Sequence, residues 1–219
     1  MMVEPLYEVL ARSAMVSVTA TILASLIGIP LGTALALARM PGRRFLAAVV
    51  NTGMAVPTVV VGLGAALLFW RSGPLGDLGL IYTVRGMIIA QVAVVTPLIT
   101  GISMAALQML PPELPEQLRA LGANQMQLVL RMWIEGRLLL FAAAMAGFGH
   151  AISEVGSSTI VGGNIHGQTQ VMTTAIVENV GRGDFGVAIF YGAILIALAF
   201  VVNGLLLSVQ RRGLAWQPS

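Results

Sequence analysis

Between Arg12 and Arg39 the chain runs without a single charged residue, and the same is true over 45–70, 86–110 and 186–209. The hydrocarbon core of a bilayer takes roughly 20 residues of apolar helix, so each run is long enough to cross it. A shorter uncharged run over 138–153 is rich in alanine and glycine, which let helices approach closely in lipid, and a span over about 138–160 is expected there. Only 10% of the residues are charged and 57% are hydrophobic, against roughly 25% charged in an ordinary soluble domain. The expected fold class is therefore all-α integral membrane, with about five transmembrane helices near 13–38, 45–70, 86–110, 138–160 and 186–209. Little of the 219 residues is left over, so 1–219 is expected to be one transmembrane domain. Glu4 and Glu8 give 1–12 the wrong charge for the start of a secretory signal, and the segment is expected to be retained.

Three of the runs contain proline: Pro30, flanked by Gly28 and Gly32, then Pro57, then Pro97. Kinked or broken helices are expected at these points, which a membrane tolerates where neighbours or a cavity satisfy the freed backbone groups. The segment 155–184, with its glycines and hydroxyls, is expected to be re-entrant or looped.

What is missing also constrains the chain. It has no cysteine, so no disulfide and no thiolate chemistry. It has no lysine either: all 12 cationic side chains are arginine, which excludes a Walker A loop and a Schiff base. If ATP drives this protein, ATP and Mg are expected on another chain. No bound cofactor is expected, and neither histidine has neighbours at metal-ligand spacing. The 12 methionines are scattered through apolar runs and are assigned to packing. The net charge of +3 does not point to nucleic acid, because the arginines stand between apolar runs and not on one polar face.

Those arginines orient the spans. Five crossings put the termini on opposite sides. With the amino terminus outside, Arg39, Arg43, Arg44, Arg119, Arg131, Arg137, Arg211 and Arg212 face the cytoplasm, and Arg12, Arg71, Arg85 and Arg182 face out. Arg39 to Arg44 serve as a topology anchor, with lipid head-group contact as a lesser role. The longest polar stretch, 110–136 (LPPELPEQLRALGANQMQLVLRMWIEG), then lies in the cytoplasm. Its pattern predicts two short helices. Pro115 suits a first helical position, Glu116 the first turn and Gly122 a stop. Asn124 and Gln127 form a capping-box pair for the second helix. Leu114, Leu118 and Leu121 make a stripe fit either for a partner's groove or for the bilayer surface.

In this position Glu116, Arg119, Ala120, Leu121, Gly122 and Ala123 resemble the EAA loop of type I binding-protein-dependent ABC transporter permeases. Gln117 and Leu118 replace two alanines of that pattern, and Ile134-Glu135 stands where many members have Leu-Pro. A second stretch, 153–176 (SEVGSSTIVGGNIHGQTQVMTTAI), resembles the corresponding segment of tungstate and molybdate permeases, with the tungstate branch nearest in pattern. The resemblance implies coupling to an ATPase through Glu116 and Leu118 to Ala123. It also implies a homodimer of permease subunits, two ATP-binding cassette chains, and an extracytoplasmic tungstate- or molybdate-binding protein in the cytoplasmic (inner) membrane of a prokaryote. The function expected from it is ATP-coupled alternating access for an oxyanion: tungstate first, then molybdate or sulfate.

A doubly charged oxyanion must be met by donors without being held too tightly. Ser157, Ser158, Thr159, Asn164, Thr169, Thr173 and Thr174 offer neutral donors, and Gly156, Gly162, Gly163 and Gly167 let backbone N–H groups approach. Taken singly, each is more simply a close-packing residue; as a set they mark a candidate path. Glu154 would repel an anion, so it is assigned to an outer gate, with Arg182 or a second subunit's arginine as its expected partner. Two other readings remain open at this stage. One is a membrane-embedded hydrolase using His150, Ser153 and Glu154, although neighbours on one helix rarely converge as a nucleophile and base must. The other is a stand-alone secondary transporter or channel.

Overall fold

The run after Arg12 extends back toward the amino terminus to make one long helix, α1 (Leu6–Leu37), which passes through Pro30 without interruption. The computed structural model describes residues 6–37 and 41–214; Glu4 and Arg39 lie outside them, as do the side chains of Arg211 and Arg212. After α1 come α2 (Arg43–Ala55), α3 (Thr58–Phe69), a 3-10 turn (Gly76–Leu78) and α4 (Val84–Gln108). The polar stretch forms α5 (Leu114–Ala120) and α6 (Gln125–Glu135). The carboxyl-terminal part comprises α7 (Arg137–Ile152), α8 (Gly156–Gly162), α9 (Met172–Arg182) and α10 (Phe185–Leu214).

Of the three prolines, only Pro57 breaks its span. The 45–70 run is two helices, α2 and α3, bent by 97° at Val56-Pro57, and not a single span. Val56 is extended there, as a residue before proline prefers, and Pro57 has no N–H with which to continue the ladder. The expected kink at Pro30 is absent as a break in the helix, and α4 likewise continues through Pro97. The span expected over 138–160 is also in two parts, α7 and α8, bent by 56°. Three helices, α1, α4 and α10 over Phe185–Gly204, are long and apolar enough to cross a membrane alone, and each bent pair brings the number to five.

Gly28 and Gly32 serve contact instead of bending. A Cβ on Gly28 would lie 3.1 Å from Ile99 Cβ, and one on Gly32 only 2.6 Å from the Thr100 carbonyl oxygen. The backbones of α1 and α4 therefore meet without intervening side chains. Val16 groups with Met87, Ala24 with Val95, Gly28 with Ile99 and Gly32 with Ser103 at one constant offset, so the two helices run parallel. The chain between them must return across the membrane, which α2 and α3 accomplish together. α7 packs against both α1 and α4: Leu140 groups with Leu107, Gly147 faces the same Ile99 that meets Gly28, and Ala151 joins Val94, so α7 runs antiparallel to α4. α4 is thus the axle of the bundle, and α2 crosses it with Gly53 over the Pro97 ring and Met54 against Gly101.

Five hydroxyls inside the bundle are satisfied locally. Ser13, Thr21, Thr33, Thr96 and Thr100 each donate to the carbonyl four residues back, which removes a polar cost that lipid would otherwise impose.

The close seam between α1 and α4 makes a prediction. Gly32→Ala should lower stability by about 1–3 kcal/mol, since its new methyl meets backbone that cannot move alone. Gly64→Ala, which meets nothing within 4 Å, should leave the melting temperature of the detergent-purified protein unchanged or raised.

Candidate functional site: an exposed lever and a polar break

At the end of the bundle where α4 finishes, α5 is held by only a few side chains. Leu114 packs with Leu107 and Leu128, Leu118 is half-buried, and no residue of α5 is fully buried. The predicted stripe therefore divides. Leu114 and Leu118 turn inward, and Leu121 stands 84% exposed beside exposed Glu116, Arg119 and Ala120. Pro115 sits in the first turn, and Gly122 ends the helix with φ +83°, a conformation that suits glycine. The capping box forms as expected: Gln127 N–H donates to Asn124 Oδ1, and Asn124 N–H donates to Gln127 Oε1, each at 2.9 Å.

α6 connects this lever to the bundle. Leu128 and Met132 insert between Leu107 of α4 and Leu140 of α7. Trp133 Nε1 donates to Thr33 Oγ1 of α1 at 2.8 Å. Arg43 Nε donates to the Leu35 carbonyl, and Arg43 shares a groove of about 240 Å³ with Arg119. Among the arginines whose side chains are described, Arg43, Arg44, Arg119, Arg131 and Arg137 belong to the lever end, and Arg12, Arg71, Arg85 and Arg182 to the opposite end.

The second feature is the break between α7 and α8. Glu154 is 5% exposed and caps α8, its Oε1 accepting from Ser157 N–H at 2.8 Å and Ser157 Oγ at 3.1 Å. Arg182 is not its partner. Arg182 pairs with Glu178, four residues earlier on α9, and the helix end supplies Glu154 with donors instead. Thr173 Oγ1 donates to the Glu154 carbonyl, tying α9 to the break. The hydrolase trio does not assemble: Ser153 Oγ donates back to the Gly149 and His150 carbonyls, while the Glu154 carboxylate faces Ser157.

The structure spends most of the expected path donors on the protein itself. Ser158 accepts from Gln91, Thr159 donates to the Val155 carbonyl, and Thr169 bridges Ile165 N–H and the Gly162 carbonyl. Thr174 Oγ1 accepts from Val171 N–H at the start of α9. Gly156 and Gly162 let α8 wedge against α3 and Met87. Gly163 (φ +71°) lies against the Tyr82 ring, and Gly167 (φ +74°) turns the following loop.

Sequence reasoning missed Glu178, whose partners are scattered in the chain. Its carboxylate receives Asn164 Nδ2 at 2.7 Å, Gln170 Nε2 at 2.6 Å, and Arg182, with His166 Nε2 3.0 Å away. Arg12 of α1 donates to the Gln170 carbonyl at 2.7 Å, so loop 163–171 is fastened from both sides. α9 lies outside the spanning helices. Burial pushes the Glu178 carboxyl up, but hydrogen bonds from His166 and Asn164 and the charges of His166 and Arg182 outweigh it and hold it below its ordinary value.

A bundle of three plain and two broken spans, with a short helix standing off one end, is the architecture of a membrane transport subunit. The chain belongs to the family of binding-protein-dependent transport system inner membrane components, whose model matches residues 8–213. It is 37% identical to the tungstate uptake system permease protein TupB of Peptoclostridium acidaminophilum, over 93% of this chain and 90% of that one. It is also 37% identical to a probable anion ABC transporter permease protein of Haloferax volcanii, over 91% and 88% of the two chains. The sulfate transport system permease protein CysW of a Synechocystis strain is 29% identical over 96% of this chain and 83% of its own. The fold is that of the permease in inward-facing structures of the MetNI methionine ABC transporter, with a TM-score of 0.78 at 20% identity over 95% of each chain. The protein is an ABC importer permease of the inner membrane, a transport subunit and not an enzyme, working with a binding protein and an ATPase.

The Glu178 cluster carries a pH signature. A carboxyl lowered by folding stabilises the native state above its unfolded value and loses that contribution as pH falls through the folded one. The melting-temperature gap between the protein and Glu178→Gln should be widest near neutrality and close below about pH 4. A gap independent of pH would show that shape, and not charge, holds the loop.

Proposed function

We propose that this chain is the permease of an oxyanion importer whose cargo is tungstate, with molybdate or sulfate next in line. The observation that carries the cargo is its identity to a tungstate uptake permease over nearly the whole of both chains, exceeding its identity to the sulfate permeases. The whole chain acts as one transmembrane domain, paired as a homodimer on two ATPase chains. Those chains bind ATP and Mg; this one binds no cofactor. An extracytoplasmic tungstate- or molybdate-binding protein delivers the cargo. The lever end is cytoplasmic and the amino terminus outside, an orientation that the sequence favours by eight arginines against four.

The contacts support the following mechanism. Glu116, Leu118, Arg119, Ala120, Leu121, Gly122 and Ala123 dock in the ATPase, and closure of the ATPase pair on ATP displaces α5. That displacement reaches α6 through the turn at Gly122. α6 pushes on α4 and α7 through Leu128 and Met132, whose tight packing transmits motion with little loss. α7 ends at the polar break, so movement there reorients α8 and the segment from Gly156 to Thr173 that borders the path. Glu154 organises this gate by holding the start of α8, without touching the oxyanion.

Proteoliposomes holding the assembled importer should take up tungstate only with ATP and the delivery protein. Leu121→Arg should cut uptake by at least about tenfold, the scale of losing an interface anchor, with its melting temperature unchanged because Leu121 is exposed. Wild-type uptake by that variant would remove the lever from the mechanism.

A further inference from the structure

Gln91 is the polar side chain of α4 that spans the α7–α8 break. It sits on α4 at 2% exposure, in the interior of a spanning helix. Its Nε2 donates to Ser158 Oγ on α8 at 3.1 Å and to the Ala151 carbonyl in the last turn of α7 at 3.4 Å. One amide therefore holds both halves of the broken span to the axle helix. A carbonyl cannot accept from a carbonyl, so the Ala151 oxygen fixes which end of the amide faces the break. The other end, Oε1, is buried without a protein partner. Gln91 also borders a small polar cavity with Ser13 and Ser17 of α1, Glu154 at the break and Thr173 of α9. A buried amide with a spare acceptor and hydroxyl neighbours on two other helices has somewhere to bond when α8 moves. An apolar residue here would have only one arrangement.

We infer that Gln91 is a positioning residue for transport: its amide latches α8 to the end of α7 in one state of the gate and is released in the other. The inference rests on the importer reading above and extends it to a residue that does not meet cargo. An unmutated latch keeps the gate, and hence ATP turnover, waiting for loaded delivery protein. Removing it lets the ATPase fire without cargo.

The test is ATP hydrolysis by the reconstituted importer, with and without tungstate-loaded delivery protein. Gln91→Met preserves side-chain length and removes both bonds. The stimulation ratio should fall by about two- to tenfold, the range open to one or two lost hydrogen bonds, chiefly through a raised basal rate. Ser158→Ala should give a smaller fall, and the double variant should be no worse than Gln91→Met alone. Gln91→Leu, which offers neither donor nor acceptor, should behave like Gln91→Met; recovery of the wild-type ratio by it would overturn the latch. A wild-type ratio in Gln91→Met, or additive effects in the double variant, would also overturn it. Should Gln91→Met fail to assemble, Ser158→Ala carries the test alone, and an unchanged ratio there refutes the inference. If the unmutated complex shows no stimulation by loaded delivery protein, the importer reading fails, and not the latch.

Discussion

The close approach of α1 and α4 at Gly28 and Gly32 underlies the rest of the architecture. In lipid there is no hydrophobic force between helices, so backbone proximity and dispersion must supply the attraction. With no side chain between them, the two helices lie parallel in fixed register. That register requires the α2–α3 pair to return across the membrane, and α7 lies against both helices, sharing Ile99 with α1. It also brings the ends of α1 and α4 together, where Ala36, Leu37, Leu107 and Leu110 make the floor on which α5 and α6 rest.

The two breaks in the spans are resolved by different chemistry. At Pro57 the backbone loses a donor, and the chain simply turns, with Val60 and Val61 N–H groups bonding back to the Pro57 carbonyl. Between α7 and α8 there is no proline. There one freed N–H of α8, that of Ser157, is met by the Glu154 carboxylate, a charge that the membrane interior tolerates because a helix start and a serine hydroxyl satisfy it. The first break is geometric and the second polar. Only the polar one has groups that can exchange partners, which is why gating is assigned to it.

Much of the fold could be read from local pattern. Charge-free runs located the spans, and the 110–136 segment announced its two helices through Pro115, Gly122, Asn124 and Gln127, since capping is decided within four residues. Other features were not legible, because the relevant partner is distant in the chain. Pro30 and Pro57 look alike in sequence; one is absorbed into a helix pressed against α4, the other sits where α2 changes direction. Glu154 invited an arginine partner, and the nearest downstream arginine belongs to Glu178 instead. Glu178 gave no signal at all, because Asn164, His166 and Gln170 converge on it only when loop 163–171 folds over α9.

By itself the sequence determined that this is a helical membrane chain with an exposed, separately capped lever and no means of binding ATP by a lysine loop. Those properties follow from composition and short-range spacing, which hold in any arrangement of the helices. The tertiary structure alone decided which helix is the axle, which proline breaks its span, and which buried polar groups satisfy one another. The physical reason is that lipid leaves unpaired polar groups no solvent to turn to, so their partners are fixed by how helices far apart in the chain come to lie side by side.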